Sequence, residues 1–422
     1  MKPACILLAI WLMSAGHVTA VGVQPRQAPV DPAVAGPQAA TDAYLASVPA
    51  DARARSDAYF EGGYWVSLWQ FLWSSIVLVI LLQTGLSARL RDTAARITRA
   101  RWLQPAIYGA GFLLITSVLG FPLSLFTDFW REHQYGLATQ TFAAWFGDQL
   151  KGLGIGLVLG SLMILVLYAV LRMTGRAWWI WGAVVTMAFM AFVATIGPVY
   201  LAPVFNTYKP LENHAIREPI LRIAHANGIA TSEVWEVDAS RQSTRISANV
   251  SGMFGTERIT LNDNLLKRAS PAAVEAVMGH EMGHYVLNHV YEMLAYFAII
   301  ITIGFAVTSW AFARLADRYR HRWGVEGVTD PAGLPIVALV LGVFLFAMTP
   351  VLNTIVRTNE YEADMFGLSA ARQPEGFAEA ALLLGDYRKL DPSPVEEMIF
   401  FDHPSGRTRI LAAMRWKANQ QP

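Results

Sequence analysis

The chain has 422 residues, of which 54% are hydrophobic and only 15% are charged, and its formal net charge is +1. Soluble domains carry about 25% charged residues, so the composition excludes an ordinary soluble protein and indicates several membrane spans. A net charge so close to zero gives no basis for nucleic-acid binding, and no nucleic-acid partner is expected.

Residues 1–20 have the pattern of a secretory signal peptide. Lys2 precedes an apolar run over residues 4–15, and residues 18–20 (Val-Thr-Ala) offer a small-residue cleavage site. An uncleaved first membrane span is the alternative. The only cysteine, Cys5, lies inside this segment. Neither a disulfide nor a cysteine nucleophile is therefore expected in the rest of the chain.

Residues 21–63 are rich in alanine and proline, which predicts a flexible segment ahead of the first long apolar stretch. Apolar stretches long enough to cross a bilayer follow, four of them within residues 64–200 and two within residues 294–355. Their approximate ranges are 64–86, 105–127, 152–173, 178–200, 294–316 and 333–355.

Arginine is concentrated in three of the loops between the predicted spans. These arginines are Arg89, Arg91, Arg96, Arg99 and Arg101, then Arg172 and Arg176, then Arg314, Arg318, Arg320 and Arg322. The positive-inside rule places all three loops in the cytoplasm. Residues 21–63, 201–293 and 356–422 are then expected on the periplasmic or extracytoplasmic side of an integral membrane protein.

Two β-prone runs, residues 234–237 and 258–261, lie in the polar segment that follows the fourth predicted span. They predict a small β-hairpin or sheet. Residues 246–250 (Ile-Ser-Ala-Asn-Val) are the candidate edge strand of that sheet.

A helix is predicted to begin after Ser270, a favourable N-cap residue, with Pro271 at its first position, and to continue through Val290. It carries His280-Glu281-Met282-Gly283-His284, an HExxH motif. The spacing puts both histidines on one face of the helix, where they can bind one Zn²⁺ while Glu281 polarises a metal-bound water. The alternative is a buried helix whose histidines only satisfy hydrogen bonds.

A hydrolytic zinc site takes three protein ligands, so a third ligand is expected from another segment on the same side of the membrane. Glu360 and Asp364 follow the last predicted span and share one helix face, whereas Glu362 points roughly to the opposite side. Glu360 is predicted as the third ligand, with Asp364 holding a histidine ligand through its second ring nitrogen. An acidic helix start, stabilised by the helix dipole, is the alternative.

The predicted fold is therefore mainly α. A polytopic membrane helical bundle carries a zincin-like catalytic domain made of residues 201–293, with the HExxH helix, and residues 356–422, with the third zinc ligand.

HExxH followed two spans later by Glu360 and Asp364 resembles the type I CAAX prenyl endopeptidases, which are integral-membrane zinc metallopeptidases. Further blocks are similar to that family and occur in its order: residues 120–125, 134–136, 202–206, 238–241, 247–249, 403–404 and 409–410.

The resemblance implies a ring of tilted helices around a large water-filled chamber with the zinc at one end. It also implies that His403 reaches the active site and stabilises the tetrahedral intermediate, although a helix-capping role beside Pro404 is the alternative. Asn249 and Arg409 become candidate substrate-binding residues, and Arg409 is alternatively a structural ion-pair partner.

The predicted function is peptide-bond hydrolysis with one Zn²⁺, in which Glu281 takes a proton from water and passes it to the leaving amine. The expected partners are a peptide or protein substrate, which can be membrane-associated, and the lipid bilayer. A catalytically silent zinc-binding receptor or scaffold is one rival, which the intact Glu281 disfavours. A transporter is another, which the nearly charge-free span interiors disfavour.

Overall fold

The computed structural model describes residues 32–251 and 258–420, and the predicted signal peptide or first span at 1–20 lies outside them. The described chain is mostly helical, with several helices long and apolar enough to cross a membrane and one small sheet. This confirms the predicted fold class. The helices, numbered in chain order, are α1 (Pro32–Ala46), α2 (Ala50–Gln83), α3 (Leu86–Ile97), α4 (Gln104–Ser124), α5 (Arg131–Gln134), α6 (Phe142–Thr174), α7 (Trp178–Ile196), α8 (His214–Ala226), α9 (Asp263–Arg268), α10 (Pro271–Val286), α11 (His289–Trp323), α12 (Leu334–Ala347), α13 (Thr349–Ala371), α14 (Pro374–Leu384), α15 (Pro394–Phe400) and α16 (Gly406–Gln420).

Helices of membrane-spanning length and composition come from both halves of the chain. They are α2, α4 with its extension to Gln134, the stretch Phe142–Val204, α11, and the pair α12 and α13, which is bent by 57°. The stretch Phe142–Val204 is long enough for two crossings, since a helix rises about 1.5 Å per residue and the bilayer core is about 30 Å thick. Gly175, with φ 53° and ψ −119°, breaks it, and α7 packs back against α6.

The flexible linker predicted ahead of the first span is wrong for the residues that the structure describes. Residues 32–46 form α1, and the long helix α2 already begins at Ala50. Alanine has the best helix propensity, so the alanine-rich composition favours helix as soon as an apolar side can be buried. Tyr44 of α1 is buried in one cluster with Ala413 and Met414 of α16.

The sheet has four strands in the order β1-β2-β4-β3, namely β1 (Tyr208–Pro210), β2 (Val234–Val237), β3 (Ala248–Ser251) and β4 (Arg258–Asn262). β2 and β4 are parallel, whereas the β1–β2 and β3–β4 pairs are antiparallel. β3 is thus an edge strand and overlaps the candidate edge at 246–250. Ile259 and Leu261 of β4 pack in one core with Met278 of α10, which fixes the sheet against the HExxH helix.

The HExxH helix α10 begins as predicted and ends earlier than predicted. The side chain of Ser270 accepts a hydrogen bond from the backbone N–H of Ala273, and Pro271 takes the first helical position. The continuation to Val290 is wrong, because Asn288 adopts the left-handed conformation (φ 60°) and a new helix, α11, starts at His289. Asparagine tolerates this conformation better than most residues do.

α10 and α13 approach each other so closely that their backbones touch. A Cβ atom on Gly367 of α13 would lie 2.7 Å from the backbone nitrogen of His280. A Cβ atom on Gly283 of α10 would lie 3.0 Å from the Cα atom of Ala363. Glycine at these positions therefore permits the contact between the HExxH helix and the helix that carries Glu360.

We expect Gly367→Ala to force α13 away from α10 and to lower the free energy of unfolding by about 1–3 kcal/mol, the usual cost of overpacking. Gly147→Ala in α6 is the matched control, because nothing lies within 4 Å of its added Cβ atom. Thermal unfolding of the two purified variants in detergent measures the difference. Equal melting temperatures would contradict the close packing described above.

Candidate metal centre

Three side chains from two helices converge beside α10. His280 Nε2 lies 3.1 Å from His284 Nε2 and 3.3 Å from Glu360 Oε2. His284 Nε2 lies 3.4 Å from Glu360 Oε1. His280 and Glu360 are each only 8% exposed, so the three groups form a largely buried cluster.

The spacing of this cluster fits a small tetrahedral cation. Ligand atoms that bind one ion at about 2.0–2.1 Å in tetrahedral geometry lie about 3.3–3.4 Å from one another. In this cluster the two imidazole nitrogens are 3.1 Å apart, and each lies 3.3 or 3.4 Å from a different oxygen of the Glu360 carboxylate. Two imidazoles and one carboxylate also leave a fourth position for water or substrate, as hydrolytic zinc sites do. The residues present therefore fit the metal that the motif predicts.

Asp364 and Arg409 lie behind the cluster. Asp364 Oδ1 is 2.7 Å from His280 Nδ1, the ring nitrogen that faces away from the ligand cluster. Arg409 Nε is 3.0 Å from Asp364 Oδ2, and Arg409 donates a hydrogen bond of 3.2 Å from Nη2 to Glu360 Oε2. Arg409 thus neutralises both buried carboxylates. This is the structural ion-pair role that the sequence left open as the alternative to substrate binding.

The carboxylates give the site a negative field. Burial alone lowers the pKa of His280, but the contacts with Asp364 and Glu360 outweigh it and raise the pKa to about 10. The same field attracts a divalent cation, which competes with protons for the imidazole nitrogens.

Glu281 and His403 lie on the wall of the same cavity as the ligand cluster. Burial raises the pKa of Glu281, against the lowering effect of His280 and His284. His403 Nε2 lies 3.2 Å from Glu360 Oε1, and His403 Nδ1 is hydrogen-bonded to Asp402 Oδ1 at 2.8 Å. His403 therefore reaches the cluster, as the resemblance implies.

The pKa of His403 is raised overall. Burial and Arg388 lower it, and the carboxylates of Glu360 and Asp402 more than offset them. The raised pKa favours the protonated imidazolium, which can donate a hydrogen bond to a developing negative charge.

The cavity is large, about 3640 Å³, and it extends from the sheet and the ligand cluster to the walls of α2, α6 and α7. Asn249 lines it from the edge strand β3. No hydrogen bond or ion pair joins Asn249 to the ligand cluster in the described part of the chain. Asn249 is therefore a wall residue of the cavity that also contains the cluster.

For two residues beside the site the sequence predicts no role: His289 is expected to lie off the ligand face of the helix and not to bind the metal, and Asp402 carries no prediction. His289 lies with Nδ1 2.9 Å from Nδ1 of His284, whereas a continuous helix to Val290 would set it off the ligand face. Asp402 fixes the ring of His403. Asn288 is the sequence signal for the position of His289, since asparagine marks the break in the helix. The signal for Asp402 is that an acidic residue directly precedes His403.

Comparison with known families covers nearly the whole described chain. Residues 37–207 match the profile of the CAAX prenyl protease N-terminal region with five membrane helices. Residues 210–417 match the profile of peptidase family M48.

Individual proteins show the same similarity. An uncharacterized metalloprotease of Bacillus subtilis, YhfN, is 30% identical over 340 residues, covering 79% of each chain. CAAX prenyl protease 1 of Saccharomyces cerevisiae is 24% identical over 318 residues, covering 71% of this chain and 69% of that protein. The crystal structure of S. mikatae Ste24p superposes with a TM-score of 0.74 at 19% identity, over 87% of this chain and 89% of that one, which is a likeness of fold.

We expect Asp364→Asn to weaken Zn²⁺ binding by about 10–100-fold, because it removes the charged partner of a histidine ligand while preserving its volume. Asp317→Asn is the matched control, an exposed aspartate on α11. Competition with a chromophoric chelator measures the affinity of the purified protein. Equal affinities for both variants would show that Asp364 does not support the ligand.

Proposed function

The chain belongs to peptidase family M48 and is an integral-membrane metalloendopeptidase, and from this premise we propose how its residues carry out the reaction. His280, His284 and Glu360 hold one zinc ion, and Glu281 acts as the base. The observation that carries the proposal is the convergence of two imidazole nitrogens and the Glu360 carboxylate within 3.1–3.4 Å of one another, on the cavity wall that also carries Glu281.

Zinc bound there would supply a Lewis acid that polarises the scissile carbonyl and makes water a better nucleophile at neutral pH. Glu281 accepts the proton of the attacking water and passes it to the leaving amine. Its raised pKa suits this exchange, because a base that must also act as an acid works best with a pKa near the working pH. Asp364 and Arg409 hold His280 and Glu360 in place.

His403 is proposed to stabilise the negative charge that develops on the carbonyl oxygen. Its raised pKa favours the protonated ring, and Asp402 orients the ring through Nδ1, so that Nε2 faces the cluster. A preorganised donor of this kind lowers the barrier more than a mobile one does, since it needs no reorganisation during the reaction.

The edge strand β3 is proposed to align the substrate. Among the strands of the described residues, β3 pairs on one side only, and it lines the cavity that holds the proposed catalytic residues. An extended polypeptide that adds to the free side would be held by backbone hydrogen bonds largely independent of its sequence. Asn249 on that strand is then a candidate for side-chain recognition, whereas Arg409 is occupied by Glu360 and Asp364.

The catalytic side is proposed to face the outside of the cell. The arginine-rich loops meet at one end of the bundle, since Arg91 pairs with Asp330 and Arg172 donates to the carbonyl of Arg101. Away from these loops, Arg245, which lies between β2 and β3, forms an ion pair with Glu132, which follows α4. The positive-inside rule assigns the arginine end to the cytoplasm.

This sidedness bears on the substrate. CAAX prenyl protease 1 of S. cerevisiae is named for prenylated CAAX proteins, whose tails are made in the cytosol. A chamber that opens on the outer face would instead receive polypeptides that have been exported or that are anchored in the membrane. We therefore propose exported or membrane-bound polypeptides as the substrate class.

We expect Glu281→Gln to retain zinc and to lose peptide cleavage by at least about 100-fold, because the amide cannot accept the proton. Glu275→Gln on the same helix is the matched control, since its carboxylate contacts Gln373 outside the cavity. Elemental analysis measures the zinc, and a fluorogenic peptide library measures cleavage. Comparing the proteomes of membranes that carry either variant identifies natural substrates. Cleavage by the Glu281→Gln enzyme at the normal rate would eliminate the mechanism.

Sidedness is tested by labelling single cysteines. Cys5 is the only cysteine, so a Cys5→Ala background has no thiol. Adding His214→Cys places a single thiol on the proposed outer side, and adding Arg320→Cys instead places a single thiol at the arginine-rich end. A membrane-impermeant maleimide applied to intact cells should label the His214 variant, whose native side chain is 78% exposed, and should leave the Arg320 variant unlabelled until lysis. The reverse pattern would place the catalytic side in the cytoplasm.

A further inference from the structure

Besides His403, a further imidazole lies beside the candidate zinc ligand His284. α10 ends at Val286, and the left-handed backbone of Asn288 turns the chain so that His289 begins α11. This turn brings His289 Nδ1 to 2.9 Å from His284 Nδ1, with the ring planes at 70°. His289 is only 3% exposed, whereas the His284 side chain is 25% exposed.

The positions of the ring protons follow from the ligand set. His284 Nε2 faces His280 and Glu360, and it must be unprotonated in order to bind a cation. The single proton of a neutral His284 then lies on Nδ1, and the atom within hydrogen-bond distance of that nitrogen is Nδ1 of His289. His289 Nδ1 must accept a hydrogen bond from this N–H, so the proton of His289 itself lies on Nε2, which is 3.4 Å from Glu362 Oε2.

We propose that His289 is a positioning residue for His284. Its Nδ1 accepts the Nδ1–H of His284 and holds the ring in the tautomer and orientation in which Nε2 can bind zinc. The inference rests on the zinc site proposed above. It assigns the two histidine ligands different supports, a carboxylate (Asp364) behind His280 and a neutral imidazole behind His284.

The same residue belongs to a second group that could hold a metal ion. Ligand atoms of His289, Glu292 and Glu362 lie within 4.8 Å of one another. A cation on His289 Nε2 would leave the ring proton of His289 on Nδ1, where it would oppose the Nδ1 proton of His284. Because the 2.9 Å separation of the two Nδ1 atoms accommodates one proton and not two, the geometry favours the positioning role.

Three substitutions of His289 separate hydrogen bonding from packing. Asparagine places its amide group at the position of Nδ1 and preserves an acceptor there. Glutamine places its amide group nearer the position of Nε2, one bond too far. Phenylalanine fills the volume of the ring without an acceptor. The full-length proteins, purified in detergent and stripped of metal, are titrated with Zn²⁺ against a chromophoric chelator, and Co²⁺ spectra report the ligand geometry.

We expect His289→Phe and His289→Gln to bind Zn²⁺ about 10–100-fold more weakly than the wild type and to shift the Co²⁺ spectrum, as changes of a ligand's hydrogen-bond partner do. His289→Asn should stay within about 3-fold of the wild type, because the acceptor is retained. Glu292→Gln is the control and should leave affinity unchanged, with one Zn²⁺ bound per chain. Melting temperatures of the metal-free proteins identify a variant that does not fold. If His289→Phe is such a variant, the comparison of glutamine with asparagine carries the test.

Wild-type affinity in both the Phe and Gln variants would overturn the proposal, as would an Asn variant as weak as the Phe variant. Two Zn²⁺ ions per wild-type chain, with one lost in Glu292→Gln, would also overturn it by showing His289 to be a metal ligand. These titrations measure metal binding without substrate. A proteolytically active Glu281→Gln enzyme would refute the proposed mechanism, but it would not change the Zn²⁺ affinities of the His289 variants. The two proposals can therefore fail separately.

Discussion

The contact between α10 and α13 is the constraint on which the site depends. His280 and His284 extend from one helix and Glu360 from the other, so the separation of the two helices sets the distances among the ligand atoms. Packed helices usually lie about 8–10 Å apart, and the smaller the residues at the contact, the closer the approach. Gly279, Gly283 and Gly367 remove the side chains that would stand between these two backbones. The glycine of the HExxH motif thus contributes to the spacing of the ligands although it has no side chain that could bind the metal.

The buried charges of the site depend on one another. Glu360 and Asp364 are 8% and 1% exposed, and both are within ion-pair distance of Arg409, which is itself 8% exposed. A buried carboxylate is costly unless it is paired, and removing one partner of a buried pair typically costs about 3–5 kcal/mol. Arg409 lies on α16, so this pairing ties the final helix of the described chain to α13. The packing of α1 on α16 extends the same support to the first described helix.

Much of the site could be predicted because its chemistry is local in sequence. The i, i+4 spacing of His280 and His284 and of Glu360 and Asp364 fixes a helix face, and the structure places these residues together. The strands at 234–237 and 258–261 were recognisable from their β-branched and aromatic residues.

Other features depend on tertiary geometry that no periodicity encodes. His289 meets His284 only because one residue, Asn288, takes a left-handed conformation, and a regular helix would carry the ring away. The alanine-rich segment at 32–46 is a helix because α16 covers it, and that partner lies more than 300 residues away in the chain. Sequence alone left two roles open for Arg409, substrate binding on the cavity wall and a structural ion pair, because both place an arginine beside the site.

The order of synthesis has a further consequence: the ribosome completes the helix with Glu281 well before it makes Glu360 and Arg409. Until that last hairpin has been made, His280 and His284 therefore lack the carboxylate that completes the proposed metal site.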